Sequence, residues 1–449
     1  MIEAPIIVKR TITATSRGTQ EFSFGESDLP LGGNRALDEK RIQAWNIYKS
    51  LPFPTDKDEA WRRTSLSGLR SAQYRFCFDR DEVPAIDQML LQPPAGDILD
   101  GQVVVQPHHK EATLADLYIR QGVIFAPIKQ ALESDPELLL DKLGSIVPAS
   151  DGKFAALNTA FAQNGILLYV PAGVKVEHPL HGIFWAGGDM TIHFSRILIW
   201  LEEGAEVTYV HEYASSQEAK EHFFHSGIVE VYAGPNAHLK MVELQSWGSD
   251  VWNISHQRVI AQENAQVEWI LGALGSQTTK DFTDFNMAGS GSTIKASGFY
   301  FTEGDQHFDH DTQQNHLVPN TTSDLLYKGA MTGKSRSVWQ GMIYVAPGAE
   351  KTDGYQANRN LVLSKDARAD SIPGLEILAD DVRCTHGATV GKIDEEQTYY
   401  LMARGLPAAD AKRLIVDGFF EPIMERIPFE GVQERFRQAI LQKMNTISL

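Results

Sequence analysis

The chain is poor in cysteine. Its 449 residues hold two, Cys77 and Cys384, and these do not form a CxxC pair. Two thiols build no disulfide framework, and they fit a reducing compartment. Nor can they supply a four-thiolate metal site from this chain alone. Long apolar runs are also missing. Segments such as Ile197–Leu201 read as buried strands and fall far short of the ~20 apolar residues that span a bilayer. Met1–Arg10 has neither a long apolar stretch nor an Arg-rich, acid-poor composition, so no secretory or transit leader is expected and the chain reads as cytoplasmic. Basic excess is absent too: 41 basic against 58 acidic side chains give a net charge of −17. That sign repels phosphate backbones and anionic lipid, so neither nucleic acid nor membrane is an expected partner.

Apolar residues are plentiful, at 43% hydrophobic, so a sizeable core is expected. Residues 1–150 read as a helical and mixed region. Ile42, Trp45 and Tyr48 space a helix over Asp38–Leu51, and Thr55 with Asp58 resembles a capping box. Residues 151–390 read as a β core. Gly165–Val170, Ser195–Trp200 and Gly227–Tyr232 are short, rich in β-branched and aromatic residues, and bounded by turn residues. A turn element recurs at Gly173, Gly204, Asn236 and Asn264, spaced 31, 32 and 28 residues apart. Such a period suggests stacked β-coils, with a sandwich as the alternative. Residues 391–449 read as helical. Asp394 caps a first helix that Gly405 stops, Pro407 opens a second that Pro428 stops, and Val432–Met444 forms a third with Phe436, Ile440 and Leu441 on one face.

Several motifs invite chemistry. Gly329–Ser335 has three residues between its glycines where a P-loop needs four, and it lacks strand–loop–helix context, so it reads as a turn. His178, His181, His307, His310, Asp311 and His316 offer the ligands of a cupin-like metal enzyme, but i and i+3 face opposite sides of a strand. They read as turn and solvent-face residues. Glu203, Glu206 and Glu212 offer the paired carboxylates of a glycan-cleaving β-helix enzyme, a pairing that 58 acids make common. Cys384-Thr385-His386 is the sharpest feature. On an extended strand, Cys384 and His386 share a face about 6–7 Å apart. A thiol and an imidazole so placed make half a site for iron or a cluster, or else a nucleophile and its base.

Longer strings carry a resemblance. Pro319–Gly329, Gln340–Val345, Thr352–Gln356, Asn358–Ser364, Ile372–Ile377, Cys384–Gly391 and Asp394–Gly405 are similar to the SufB/SufD family of iron–sulfur assembly proteins. The likeness covers roughly residues 160–428, and Asp56–Ser65 looks like the family's N-terminal segment. Cys384-Thr385-His386-Gly387-Ala388-Thr389 resembles the SufD wording, and the shortage of cysteine agrees with that branch over a cluster-bearing SufB-like one. The resemblance implies a mainly β fold, with a right-handed parallel β-helix core between an N-terminal α/β region and a C-terminal helical region. It implies a non-catalytic scaffold subunit of a SufBCD complex. Such a subunit pairs with a SufB-like paralogue through the end of the β-helix and binds a SufC-like ATPase through its C-terminal helices. A homodimer of the isolated chain stays open. A transient Fe–S cluster shared with the paralogue is implied, with none held by the isolated chain. His386 then falls on the cluster-forming residue, with Cys384 beside it, and Phe419 and Phe420 are expected to face the ATPase. Gly354 stands where Ala is common and Trp339 where Phe is; neither belongs to the ligand motif.

Overall fold

One backbone corner, repeated, sets the architecture. The computed structural model describes residues 21–77, 83–91, 98–427 and 430–445. Gly173, Gly204, Asn236, Asn264, Gly291, Asn320 and Lys351 all have positive φ, from 55° to 78°. Gly pays no Cβ penalty there and Asn a small one, which is why the turn element recurs as these residues. The corners stack. The N–H of Gly173 donates to the carbonyl of Glu203, that of Gly204 to Pro235 and that of Asn236 to Glu263, each at 2.8 Å. After most corners the next residue is small and buried, as at Ala205, Ala237, Ala265, Ser292 and Thr321; Val174, after the first, is half-buried.

Between corners, strands alternate between two sheets, and each pairs in parallel with the strand two places on. About eight turns stack into a parallel β-solenoid. One sheet runs from Ile124–Pro127 and Asn164–Val170 to Arg368–Ile377; the other runs from Gly101–Val105 and Leu180–Trp185 to Arg383–Lys392. Antiparallel partners, Lys110–Leu114 and Ile124–Pro127, finish the N-terminal end. Upstream, the helix Arg35–Ser50 is capped by Asn34 and packs on the helix Lys153–Phe161. Its buried face is Leu37, Arg41, Ala44, Trp45 and Tyr48, whereas Ile42 is exposed. Thr55 N–H does donate to Asp58 Oδ2 at 2.8 Å, but the helix that follows is one 3-10 turn, Glu59–Trp61. Gly329–Ser335 is the end of a strand and a turn, with Gly333 at φ 66°.

The solenoid interior is apolar at Val229, Val259, Phe285 and Trp339, yet it also takes in polar groups. His225 bonds Ser195 Oγ at 2.8 Å and Asn253 Oδ1 at 2.7 Å, and His310 Nδ1 lies 3.1 Å from Asp281 Oδ2. This corrects the placement of His310 and His316 on turns or the solvent face: both sit on one strand, His307–His316, and both are buried. His310 lies on its inward side and His307 on the other, so the strand alternation holds.

Three helices close the chain. Asp394 accepts N–H bonds from Glu396 and Gln397 at the start of Glu395–Ala403, and Gly405 at φ 97° ends that turn. Pro407 precedes Ala408–Met424 and Glu430–Asn445 follows. The second helix ends at Met424, and Pro428 lies outside the described residues.

Burial gives the interior a pH response. It depresses the pKa of His193, His307 and His316 to about 4 and of His211 and His225 to about 3. A histidine kept neutral when folded contributes stability above its unfolded pKa near 6.5, and that contribution is lost as pH falls toward the folded value. Glu243 works in the opposite sense, since burial and then Asp281 push it up to about 8. Burial raises Glu221 as well, and five histidines against two carboxyls leave a net loss on acidification. Urea midpoints measured between pH 7 and pH 5 are expected to fall, with a limiting slope of about 1.4 kcal/mol per pH unit for each histidine. A flat profile would contradict the buried neutral assignment.

Candidate functional site: the open end of the solenoid

Among the described residues, the solenoid has no antiparallel finish at its C-terminal end: there Arg368–Ile377 pairs only with Arg336–Val345, and Arg383–Lys392 only with Asp353–Val362. Each therefore offers an unpaired backbone edge. Positions that would be core in any other turn lie open here: Leu375, Ile377 and Val390 are exposed, with Pro373 half-buried beside them.

Cys384 and His386 belong to this last turn. In register, Cys384 lies over Gly354 and His386 over Gln356. Gln356 is fully buried and donates to the carbonyl of Gly374 on the opposite sheet at 2.9 Å, so this column faces the interior. Both site residues thus sit at the mouth of the lumen. Cys384 is half-buried against Ile343, Val345 and Ala349, and His386 is exposed because no further strand covers it. Burial raises the Cys384 thiol pKa, the Gly354 N–H lowers it and Asp353 raises it again, with a net shift upward. Gly354, set outside the ligand motif on sequence grounds, is therefore the floor beneath Cys384. The signal was local in space only, 30 residues away along the chain.

The other proposed ligands do not assemble. His181 Nε2 binds Glu212 Oε1 at 2.7 Å, His307 lies 2.9 Å from Thr64 Oγ1, and His316 bonds Thr321 and Ser323. Among the described residues, no three His, Cys, Asp or Glu side chains converge to hold a metal ion. Cys77, 3.7 Å from His108 Nε2, follows the strand Arg75–Phe76, which pairs with Thr191–Ile192. Six strand steps separate that turn from the last one, about 29 Å.

The C-terminal helices lie across the outer face of the sheet that contains Cys384. Val416, Phe420, Ile423, Phe436 and Ile440 pack on Val242, Ile270, Phe299 and Leu326. Phe420 is fully buried, which corrects its assignment to a partner surface: it serves as core between helix and sheet. Phe419 is half-buried; its carbonyl accepts from Lys328 Nζ at 2.6 Å and its ring lies 4.9 Å from the same ammonium. Leu441, expected on the packed face of the last helix, is exposed instead, and Val432 and Met444 take that role. With Leu441, the large apolar side chains that the described C-terminal residues leave outside are Tyr399, Tyr400, Met402, Leu406 and Leu414.

Two comparisons with known proteins agree. Residues 184–419 match the family described as "SUF system FeS cluster assembly, SufBD core domain", and residues 22–181 match "SufBD protein N-terminal region". The chain belongs to the SufBD family of iron–sulfur cluster assembly proteins. Among its relatives, an "Iron-sulfur cluster assembly SufBD family protein" of Staphylococcus epidermidis is 32% identical over 363 residues, which is 80% of this chain and 76% of that protein. Relatives of the same description in Staphylococcus haemolyticus and Staphylococcus aureus are 32% and 31% identical over the same shares. The SufBD core match thus takes in the open mouth, both site residues and most of the second C-terminal helix.

That helical layer is pinned by a buried ion pair. Arg435 reaches Glu212 at 2.8 and 3.1 Å. Burial would raise the Glu212 pKa, but His181 and Arg435 outweigh it and hold it below the usual range. Arg435→Ala leaves that carboxylate buried without its cation, a change that typically destabilises by about 3–5 kcal/mol. Hydrogen exchange in residues 408–445 is expected to rise well before global unfolding; unchanged protection would show that the pair does not pin the helices.

Proposed function

We propose that the chain is a SufD-type, non-catalytic scaffold subunit of a SufBCD complex acting in the cytoplasm. It pairs with a SufB-like paralogue across its open end and lends His386, with Cys384, to a nascent Fe–S cluster that the two chains share. The observation that carries this reading is the uncapped mouth. A thiol and an imidazole stand there beside exposed core positions and two unpaired sheet edges. A second solenoid end would satisfy all three at once: its strands continue the ladders, its apolar positions cover Leu375, Ile377 and Val390, and its ligands complete the set. Covering each such side chain contributes about 1.5–3 kcal/mol before the costs of association. The two-cysteine count supports the supporting-subunit role over a SufB-like one, because the missing thiolates must come from elsewhere. Among the described residues, no helix is long and apolar enough to cross a membrane.

His386→Ala, in a complex reconstituted with the paralogue and the ATPase, is expected to assemble normally and lose most cluster formation, read from the visible absorbance of the cluster. Normal cluster yield in an intact complex would remove His386 from the site.

The ATPase is assigned to the first C-terminal helix and the loop after it, in place of Phe420. Tyr399 and Tyr400 are 74% and 57% exposed, and Leu414 is 52% exposed on the following helix. Aromatic side chains left outside a packed domain are common binding anchors. The double variant Tyr399→Ser, Tyr400→Ser should leave the melting temperature unchanged and weaken ATPase binding by roughly 30-fold or more, the scale of one or two anchor residues. Unaltered affinity in a titration would move the docking surface elsewhere.

A further inference from the structure

The outer face of the sheet that ends in Arg383–Lys392 gathers cations, in a chain whose net charge is −17. Lys328 lies directly opposite Arg359 on the neighbouring strand, and Thr389 of the last strand continues that row. Neighbouring strands are about 4.8 Å apart. Arg426, just past the second C-terminal helix, reaches the same face. Its Nη1 donates to Ser297 Oγ at 2.9 Å, and its Nη2 lies 3.8 Å from Asp324 Oδ2. Phe419 on that helix accepts from Lys328 Nζ through its carbonyl at 2.6 Å. Lys412 stands two helical turns before Phe419 on the same stripe and extends the positive edge along the helix.

This strip is short of anions. Among the described residues, neither Arg359 nor Lys412 has an ion-pair partner, and Asp324 is the one carboxylate paired with the group, at the limit of ion-pair range. Burial, then Arg359 and Arg426, lower the Lys328 pKa to about 8, so both charges that move it are positive. Like charges opposite one another on adjacent strands weaken a sheet. The Lys328–Arg359 pair therefore opposes folding, and an anion laid over it relieves that. Access is open. Arg359 and Arg426 are exposed. Beside them, a Cβ added at Gly387 or Gly391 of the last strand, or at Gly418 of the helix, would meet nothing within 4 Å. The strip also adjoins the surface assigned to the ATPase, since the helix that carries Tyr399 and Tyr400 packs on the helix that carries Lys412.

We infer that Lys328, Arg359, Lys412 and Arg426 form an electrostatic docking strip that receives carboxylate side chains of the ATPase. This rests on the assignment of the ATPase to the C-terminal helices and adds the charge that steers and orients it. The exposed Arg359 and Arg426 make the direct pairs, because a guanidinium fork matches a carboxylate with two parallel N–H bonds. Lys328, buried behind them, adds to the field. Charges at the rim of an interface act chiefly on encounter rate and register. The strip thus sets how fast the ATPase arrives and in which orientation, and the tyrosines set how long it stays.

The test uses the full chain and the purified ATPase, with association followed by stopped flow. The double variant Arg359→Glu, Lys412→Glu should keep the parent melting temperature and pair normally with the paralogue. Its association rate constant with the ATPase should fall about tenfold or more at about 50 mM salt. The difference should close at about 0.5 M salt, where screening leaves only contacts of a few ångströms. Arg359→Gln, Lys412→Gln should give an intermediate rate. Equal association rates at low salt for the folded charge-reversed variant would overturn the inference. So would slowed pairing with the paralogue, or loss of inorganic phosphate binding, while ATPase association is unchanged. Tyrosine-dependent affinity with charge-independent association removes the strip alone; affinity that ignores both sets of variants removes the docking assignment itself.

Discussion

Everything in this protein depends on stacking in register. Each strand's backbone is satisfied by the strands above and below, and each corner donates to the next at about the same distance. That arrangement has no natural end. At the N-terminal side the chain supplies one, by turning strands antiparallel. At the other side it stops with donors, acceptors and core side chains still facing outward. The half-buried thiol and the exposed imidazole proposed for cluster assembly are both at that stop.

The same logic explains how two unlike jobs share one sheet. The outward face of the sheet ending in Arg383–Lys392 is apolar at Val242, Ile270 and Phe299, and it is covered by the second and third C-terminal helices. Its inward face ends in Cys384 and His386. Period-two alternation separates the two functions by a single residue, so a helix can lie on one side without touching the site on the other.

Much of this was readable from the chain itself. The corners were visible because only Gly and Asn adopt positive φ at low cost, and the helix starts because Asp394 and Pro407 are local caps. Cys384 and His386 share a face by the same alternation, which needs no tertiary information. Phe420 was misread because a helical stripe shows which residues are apolar but not what covers them. His310 and His316 were misread because polar side chains on strands are normally assigned outward, whereas this lumen accepts them with internal partners. The role of Gly354 was invisible for a different reason. It lies under a residue 30 positions away in sequence, which only the strand register brings over it.

The C-terminal helices have a mechanical consequence. Stacked repeats normally couple only to their nearest neighbours, so they can fray from an end one unit at a time. Here Arg435 ties the last helix to Glu212 in an early turn, Lys443 reaches Glu303, and Lys328 holds the chain at Phe419. These struts splint several turns together. They span the stack from Glu212 to Lys328, so force applied to the helices would load that run of turns together rather than one turn at a time.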